Sequence, residues 1–93
     1  MIGTWKSDKV TDILGEPTDA YPADGLKLEF TAEHSVNIDL NGEVNQTSWS
    51  LVGDTMGILD DDTIDLNWDV KDDGIEVNYK INDEYYIFHC VKQ

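Results

Sequence analysis

The side chains with most chemical reach, His89 and Cys90, are neighbours in the chain. Adjacent residues of a strand point to opposite faces, so this pair cannot work as a nucleophile and its base. His34 falls at an expected strand start, facing solvent. Two His and one Cys fall short of a tetrahedral zinc set unless a carboxylate joins them. Carboxylates are plentiful, 20 Asp and Glu in 93 residues, so any pair of them carries little information. Glycoside hydrolysis needs an acid and its partner flanking a cleft, and a chain this short has little material to build one. Asp60, Asp61, Asp62 and Asp65 cluster, and Asp65-x-Asn67-x-Asp69 begins like a calcium loop. Val70 stands where such a loop needs glycine, and the spacing is that of strand alternation. The expectation is a solvated acidic turn, with no catalytic residue, no metal site and no cofactor.

Charge narrows the partners. The chain carries 6 Lys and no Arg, for a net charge of −14. Such a field repels phosphate backbones and anionic membrane surfaces, so neither nucleic acid nor membrane insertion is expected. Without Arg there is no bidentate grip on carboxylate or phosphate. Solubility, cations or a basic partner suit this charge. Cys90 is the single cysteine, so no disulfide forms within the chain. Met1 is followed at once by Ile2-Gly3-Thr4-Trp5, which already reads as a strand. That start suggests a domain trimmed from a longer precursor, with Met1 as an added initiator.

The elements that must position these residues are strands. After residue 25 the apolar residues recur with period two: Leu26, Leu28, Phe30; Val36, Ile38, Leu40; Ile64, Leu66, Trp68, Val70; Ile75, Val77, Tyr79, Ile81. Each set reads as a strand with one face buried and one wet. Asn41-Gly42, Gly53-Asp54, Asp73-Gly74 and Asn82-Asp83 suit tight hairpins, because these residues tolerate positive φ. The Asp60-Asp61-Asp62 run is a further turn. The reading is all-β: about eight strands, near 2–10, 26–31, 34–41, 44–53, 55–60, 63–71, 74–82 and 85–92. An antiparallel meander of this kind leaves two exposed edges unless it closes into a barrel. Residues 1–93 form a single domain. In the last strand either Tyr85, Ile87, His89 and Val91 or Tyr86, Phe88 and Cys90 face inward; the second set keeps His89 wet.

Residues 11–25 break the pattern. Thr11-Asp12-Ile13-Leu14-Gly15 could form one helical turn, with Thr11 or Asp12 as its cap and Gly15 as its stop, and Pro17, Pro22 and Gly25 prevent a regular element beyond it. This long connection must cross one end of the barrel, and long loops in compact domains tend to be functional. Asn45-Gln46-Thr47 is a formal glycosylation sequon, read here as a chance occurrence.

Gly3-Thr4-Trp5, Leu28-Glu29-Phe30, Trp49-Ser50-Leu51-Val52-Gly53-Asp54 and Tyr86-Ile87-Phe88 follow one another in an order that resembles small bacterial lipocalin-like domains of secreted proteins and lipoproteins. The resemblance spans nearly the whole chain through short motifs. It implies that Trp5 plugs the closed end of a barrel and that the first long loop lies at the open end. In full lipocalins a late Arg stacks on that Trp; only Lys92 could stand in for it here. The resemblance also implies an extracellular or cell-envelope setting.

Two functions are then expected of a monomeric, non-catalytic domain. One is binding of a small apolar or sugar-like ligand at the barrel mouth, lined by Ile13, Leu14, Tyr21, Trp49, Trp68 and Tyr79. The other is a structural or protein-interaction role with a filled core, since an eight-stranded barrel is just wide enough either to be filled by side chains or to hold one small ligand.

The charge makes its own prediction. Self-repulsion at −14 opposes the compact state and salt screens it. Thermal unfolding near pH 7 across an ionic-strength series should show a rising midpoint. A flat or falling midpoint contradicts this.

Overall fold

A computed structural model describes residues 2–93. Eight strands run in chain order: β1 Gly3–Asp12, β2 Leu26–Phe30, β3 Ser35–Leu40, β4 Glu43–Val52, β5 Met56–Leu59, β6 Leu66–Lys71, β7 Gly74–Ile81 and β8 Glu84–Lys92. Each pairs antiparallel with the next, and β8 pairs with β1, closing the barrel. Alternation explains the strands: in β2 the pattern is buried at Leu26, Leu28 and Phe30 and exposed between them. The tightest connections use the expected residues. Asn41 and Gly42 both have positive φ (50° and 97°), as do Asn82 and Asp83 (52° and 68°), which is the backbone a two-residue hairpin matching strand twist requires.

The closure depends on an irregularity in β1. Its register against β8 shifts between Ser7 and Lys9, leaving Asp8 as an inserted residue. A bulge bends and twists its strand, which lets one strand serve two neighbours. The N-terminal part of β1 pairs with β2, from Gly3↔Phe30 to Lys6↔Lys27. Where that ladder stops, the buried Ser7 hydroxyl accepts the Leu26 amide at 3.0 Å. The other ladder runs up to Asp12↔Tyr86.

β1 is longer than expected, and the helical turn after it is absent. The Asp12 carboxylate accepts the amides of Leu14 (2.9 Å) and Glu16 (3.0 Å), and the Asp12 amide donates to Glu16 O at 2.9 Å. The side chain expected to cap a helix closes a tight turn instead, and Thr11 bridges back to Pro17. β6 likewise starts at Leu66, later than the expected 63. The Asp61 carboxylate takes the Thr63 amide (2.9 Å) and hydroxyl (2.6 Å), bending residues 60–65 into a turn. Those hydrogen bonds hold the Asp61 carboxyl below its ordinary value.

The interior is filled. Trp68 is 0% exposed, with Phe30 5.0 Å and Trp49 6.3 Å away between ring centroids. Phe30 meets Trp49 edge-on at 5.2 Å, the favoured aromatic geometry. The Trp49 indole donates to Ser35 O at 3.1 Å. Leu28, Ile38, Ile75, Val77, Phe88 and Cys90 complete the centre. Tyr86, Phe88 and Cys90 are the inward face of β8, and His89 lies outward. Space for Trp68 comes from Gly57, its cross-strand partner on β5: a Cβ at Gly57 would overlap the indole ring. Trp5 is half-buried, packed against the core, and pairs with Lys92 on β8 and Leu28 on β2. The Lys92 side chain lies across Gly3, its Cε 3.0 Å from where a Cβ would stand.

Gly57→Ala should therefore destabilise by about 1–3 kcal/mol or more, as overpacked cores do. In the Trp68→Leu background the same substitution should cost much less, because the clash is gone. Chemical denaturation of the two single variants and the double variant measures this; additive effects contradict the packing described.

Candidate functional site

Connections of a meander alternate between the two ends of its barrel. Trp5 and the turns after β2, β4 and β6 share one end; residues 13–25 and the turns after β3, β5 and β7 share the other. The long loop therefore covers the end opposite Trp5. It does so with Tyr21, which meets Tyr86 edge-on at 5.2 Å and leans on Phe88 at 6.2 Å. Tyr79 is buried close by, and burial, with the nearby Tyr21 and Glu43, raises its hydroxyl pKa. The Tyr86 hydroxyl donates to Glu84 Oε2 at 2.8 Å, and that hydrogen bond raises its pKa too.

The six residues expected to line a ligand site fall into three groups. Tyr21 and Tyr79 lie at the mouth. Trp49 and Trp68 are packed against Phe30 inside the core, edge-on and tilted. Ile13 and Leu14, expected to line the mouth, are 64% and 83% exposed and stand out in solvent instead. The reason is the Asp12 turn, whose tip carries them into solvent.

Depressions lie on the outside instead. One of about 410 Å³ is lined by Lys9, Thr11, Gly15, Asp73, Glu76, Ile87 and His89, on β1, β7, β8 and the adjoining turns. His89 sits in it between two carboxylates. Nδ1 is 2.7 Å from Asp8 Oδ1 in a hydrogen bond, and Nε2 is 3.3 Å from Asp73 Oδ2 without hydrogen-bond alignment. The Asp8 hydrogen bond chiefly, then Asp73, raise the His89 pKa against an opposing desolvation. Carboxylates on both sides of the ring favour its protonated form, in which His89 is an ion-pair partner. Cys90, on the opposite face of β8, is fully buried, and burial pushes its thiol up to about 12. A thiol so protonated is a packing group. Among the described residues no three His, Cys, Asp or Glu side chains converge as metal ligands, and no helix is long and apolar enough to cross a membrane.

A second depression, of about 320 Å³, lies at the mouth end between β4 and β7. Asn45, Thr63, Ile64, Asp65, Tyr79, Lys80, Ile81 and Asn82 border it. It exists because β5 is short and pairs with β4 only over residues 49–52. Neither this notch nor the Asp8 contact to His89 is visible in the sequence. The first depends on where β5 stops and the second on the bulge that turns Asp8 outward. Compared with known proteins, the chain matches no family model, no curated protein and no solved structure.

Since the folded-state pKa of His89 lies above the ordinary 6.5, its ion pairs stabilise the fold fully below about pH 6.5 and lose that effect as pH rises through the folded value. NMR titration should place the His89 midpoint above the ordinary value, and Asp8→Asn should bring it down. A midpoint at or below 6.5, or one indifferent to Asp8→Asn, contradicts the clamp.

Proposed function

We propose that this domain is a non-catalytic, lipocalin-like interaction module that works through the outside of its barrel. The observation that carries the proposal is the solid interior. A small apolar ligand inside would need the volume that Trp49, Trp68 and Phe30 occupy, and these rings pack on one another at centroid distances of 5.0–6.3 Å. The exposed apolar surface lies elsewhere, notably at Val44, Val52, Met56 and Ile58 on β4 and β5. A carrier's aromatic rings face an open cavity; here they face one another.

The lipocalin-like assignment is supported by the closed antiparallel meander, by the first long loop lying opposite Trp5, and by Lys92 pairing with Trp5 where the family stacks its Arg. With that kinship goes the extracellular or cell-envelope setting of a bacterial protein. A monomer suits a surface carrying −14, and the same charge favours a protein partner over nucleic acid. The buried thiol of Cys90 and the doubly flanked imidazole of His89 support a non-catalytic role.

Titration with a neutral apolar fluorophore such as N-phenyl-1-naphthylamine tests the reading without charge repulsion. The expected result is no saturable binding and no quenching of tryptophan fluorescence. Saturable one-to-one binding that quenches tryptophan would return the domain to the class of small-ligand carriers.

A further inference from the structure

Closing a sheet normally uses every backbone donor and acceptor, yet here one segment keeps a free edge. β4 pairs with β3 along residues 43–48, from Leu40↔Glu43 to Ser35↔Ser48, but with β5 only over residues 49–52. The direction of the free groups follows from two hydrogen bonds. The Trp49 amide donates to His34 O on the β3 side (2.9 Å), and Ser48 O accepts the Asp60 amide on the β5 side (3.0 Å). Strand residues alternate the side to which N–H and C=O point, so Val44 and Gln46 aim theirs, like Ser48, toward the β5 side. Among the described residues no strand lies there.

Exposed edges are ordinarily blunted by proline, lysine, bulges or covering loops. The segment Glu43-Val44-Asn45-Gln46-Thr47-Ser48 has no proline, no lysine and one charge, at its end. Beside it lies the 320 Å³ notch, whose far wall holds Ile64, Tyr79 and Ile81, all packed on the core. A guest strand in this position would continue the row that β5 begins. One face of it would rest on Ile64, Tyr79 and Ile81 and the other would face solvent.

Charge selects the guest. Glu43 and Asp65 flank the segment and the notch, with Asp60, Asp61 and Asp62 on the same loop as Asp65. The cation at the notch, Lys80, is turned onto the Tyr85 ring, its Nζ 5.5 Å from the centroid. We infer that residues 43–48 of β4 accept an extended segment of another protein in which apolar residues alternate with basic ones, adding a strand to the barrel at its mouth. A second copy of this chain is disfavoured by the −14 carried by each. The inference rests on the reading of the domain as an interaction module and names its partner.

A blocked heptapeptide of alternating valine and lysine is the probe, with a valine–glutamate peptide as control. The expected result is saturable binding of the basic peptide alone, weakening with salt. Amide exchange should slow at Val44 and Gln46 on binding. Gln46→Pro removes a donor that faces away from β3, so it leaves the β3 ladder intact and should weaken binding about tenfold or more, the scale of one or two lost backbone hydrogen bonds. Val44→Lys with Gln46→Lys, at exposed positions, should do the same while the melting temperature holds. Equal binding of both peptides, protection elsewhere than β4, or binding indifferent to both variants would overturn the inference, as would no binding at millimolar peptide. Protection of Val44 and Gln46 that rises with protein concentration alone would assign the edge to a second copy instead. Each of these outcomes is distinct from fluorophore uptake into the core, which bears on the interaction-module reading itself.

Discussion

The contact between Trp68 and Gly57 sets what this barrel can be. Eight short strands enclose a space of fixed width, and the largest side chain in it lies where its cross-strand partner has none. The indole thereby reaches Phe30 and Trp49, on the strands across the interior. These rings bring β2, β4 and β6 into one packed unit although they are not neighbours in the sheet. A larger residue at position 57 would push the indole into volume already taken, since cores at this density yield only by strain. The short β5 supplies a small inward position at Gly57 and a larger one at Leu59, then leaves the sheet, and the notch beside β4 opens where it ends.

Closure places a second demand on β1, which must pair with β2 on one side and β8 on the other along a barrel whose strands tilt. The inserted residue Asp8 bends the strand, and Ser7 takes over a hydrogen bond that the ladder can no longer make. The bulge also turns a carboxylate onto His89, so one local irregularity couples closure to an ion pair that responds to pH. Tyr21 closes the mouth from the long loop, resting on Tyr86 and Phe88. Both ends and the middle of the barrel are therefore occupied by the chain's own side chains.

Much of this was legible in the residues. The period-two runs and the Asn-Gly, Asp-Gly and Asn-Asp pairs locate all eight strands to within a few residues, because alternation and positive-φ turns are local properties. For β8 the residues left two inward faces open, and the structure takes Tyr86, Phe88 and Cys90, the one that keeps His89 outward. Asp12 was misplaced in role, whereas Asp61 closes a turn where the Asp60-Asp61-Asp62 run led one to expect it. A carboxylate that can cap a helix can as readily close a turn, and which it does depends on where the chain must go next. The candidate site was less legible. Trp49, Trp68 and Tyr79 were correctly placed inward, but whether inward aromatics fill a barrel or line a cavity depends on Gly57 and on register across strands. Ile13 and Leu14 carry no periodic face, and hydropathy alone does not reveal that the Asp12 turn projects them outward. The free edge of β4 has no sequence signature except a missing one: six strand residues without proline or lysine.

A domain with a filled core and an open seam in its wall presents backbone groups and charge at its surface and no apolar cavity among its packed rings. That view depends on the interior being solid, and xenon NMR tests it most directly, because xenon enters apolar voids too small for a ligand. Under xenon pressure the methyl resonances of Leu28, Ile38 and Val77 should show no saturable shift in the native protein and a clear one in Trp68→Leu, where the void is made on purpose. Saturable shifts of those methyls in the native protein would contradict the account.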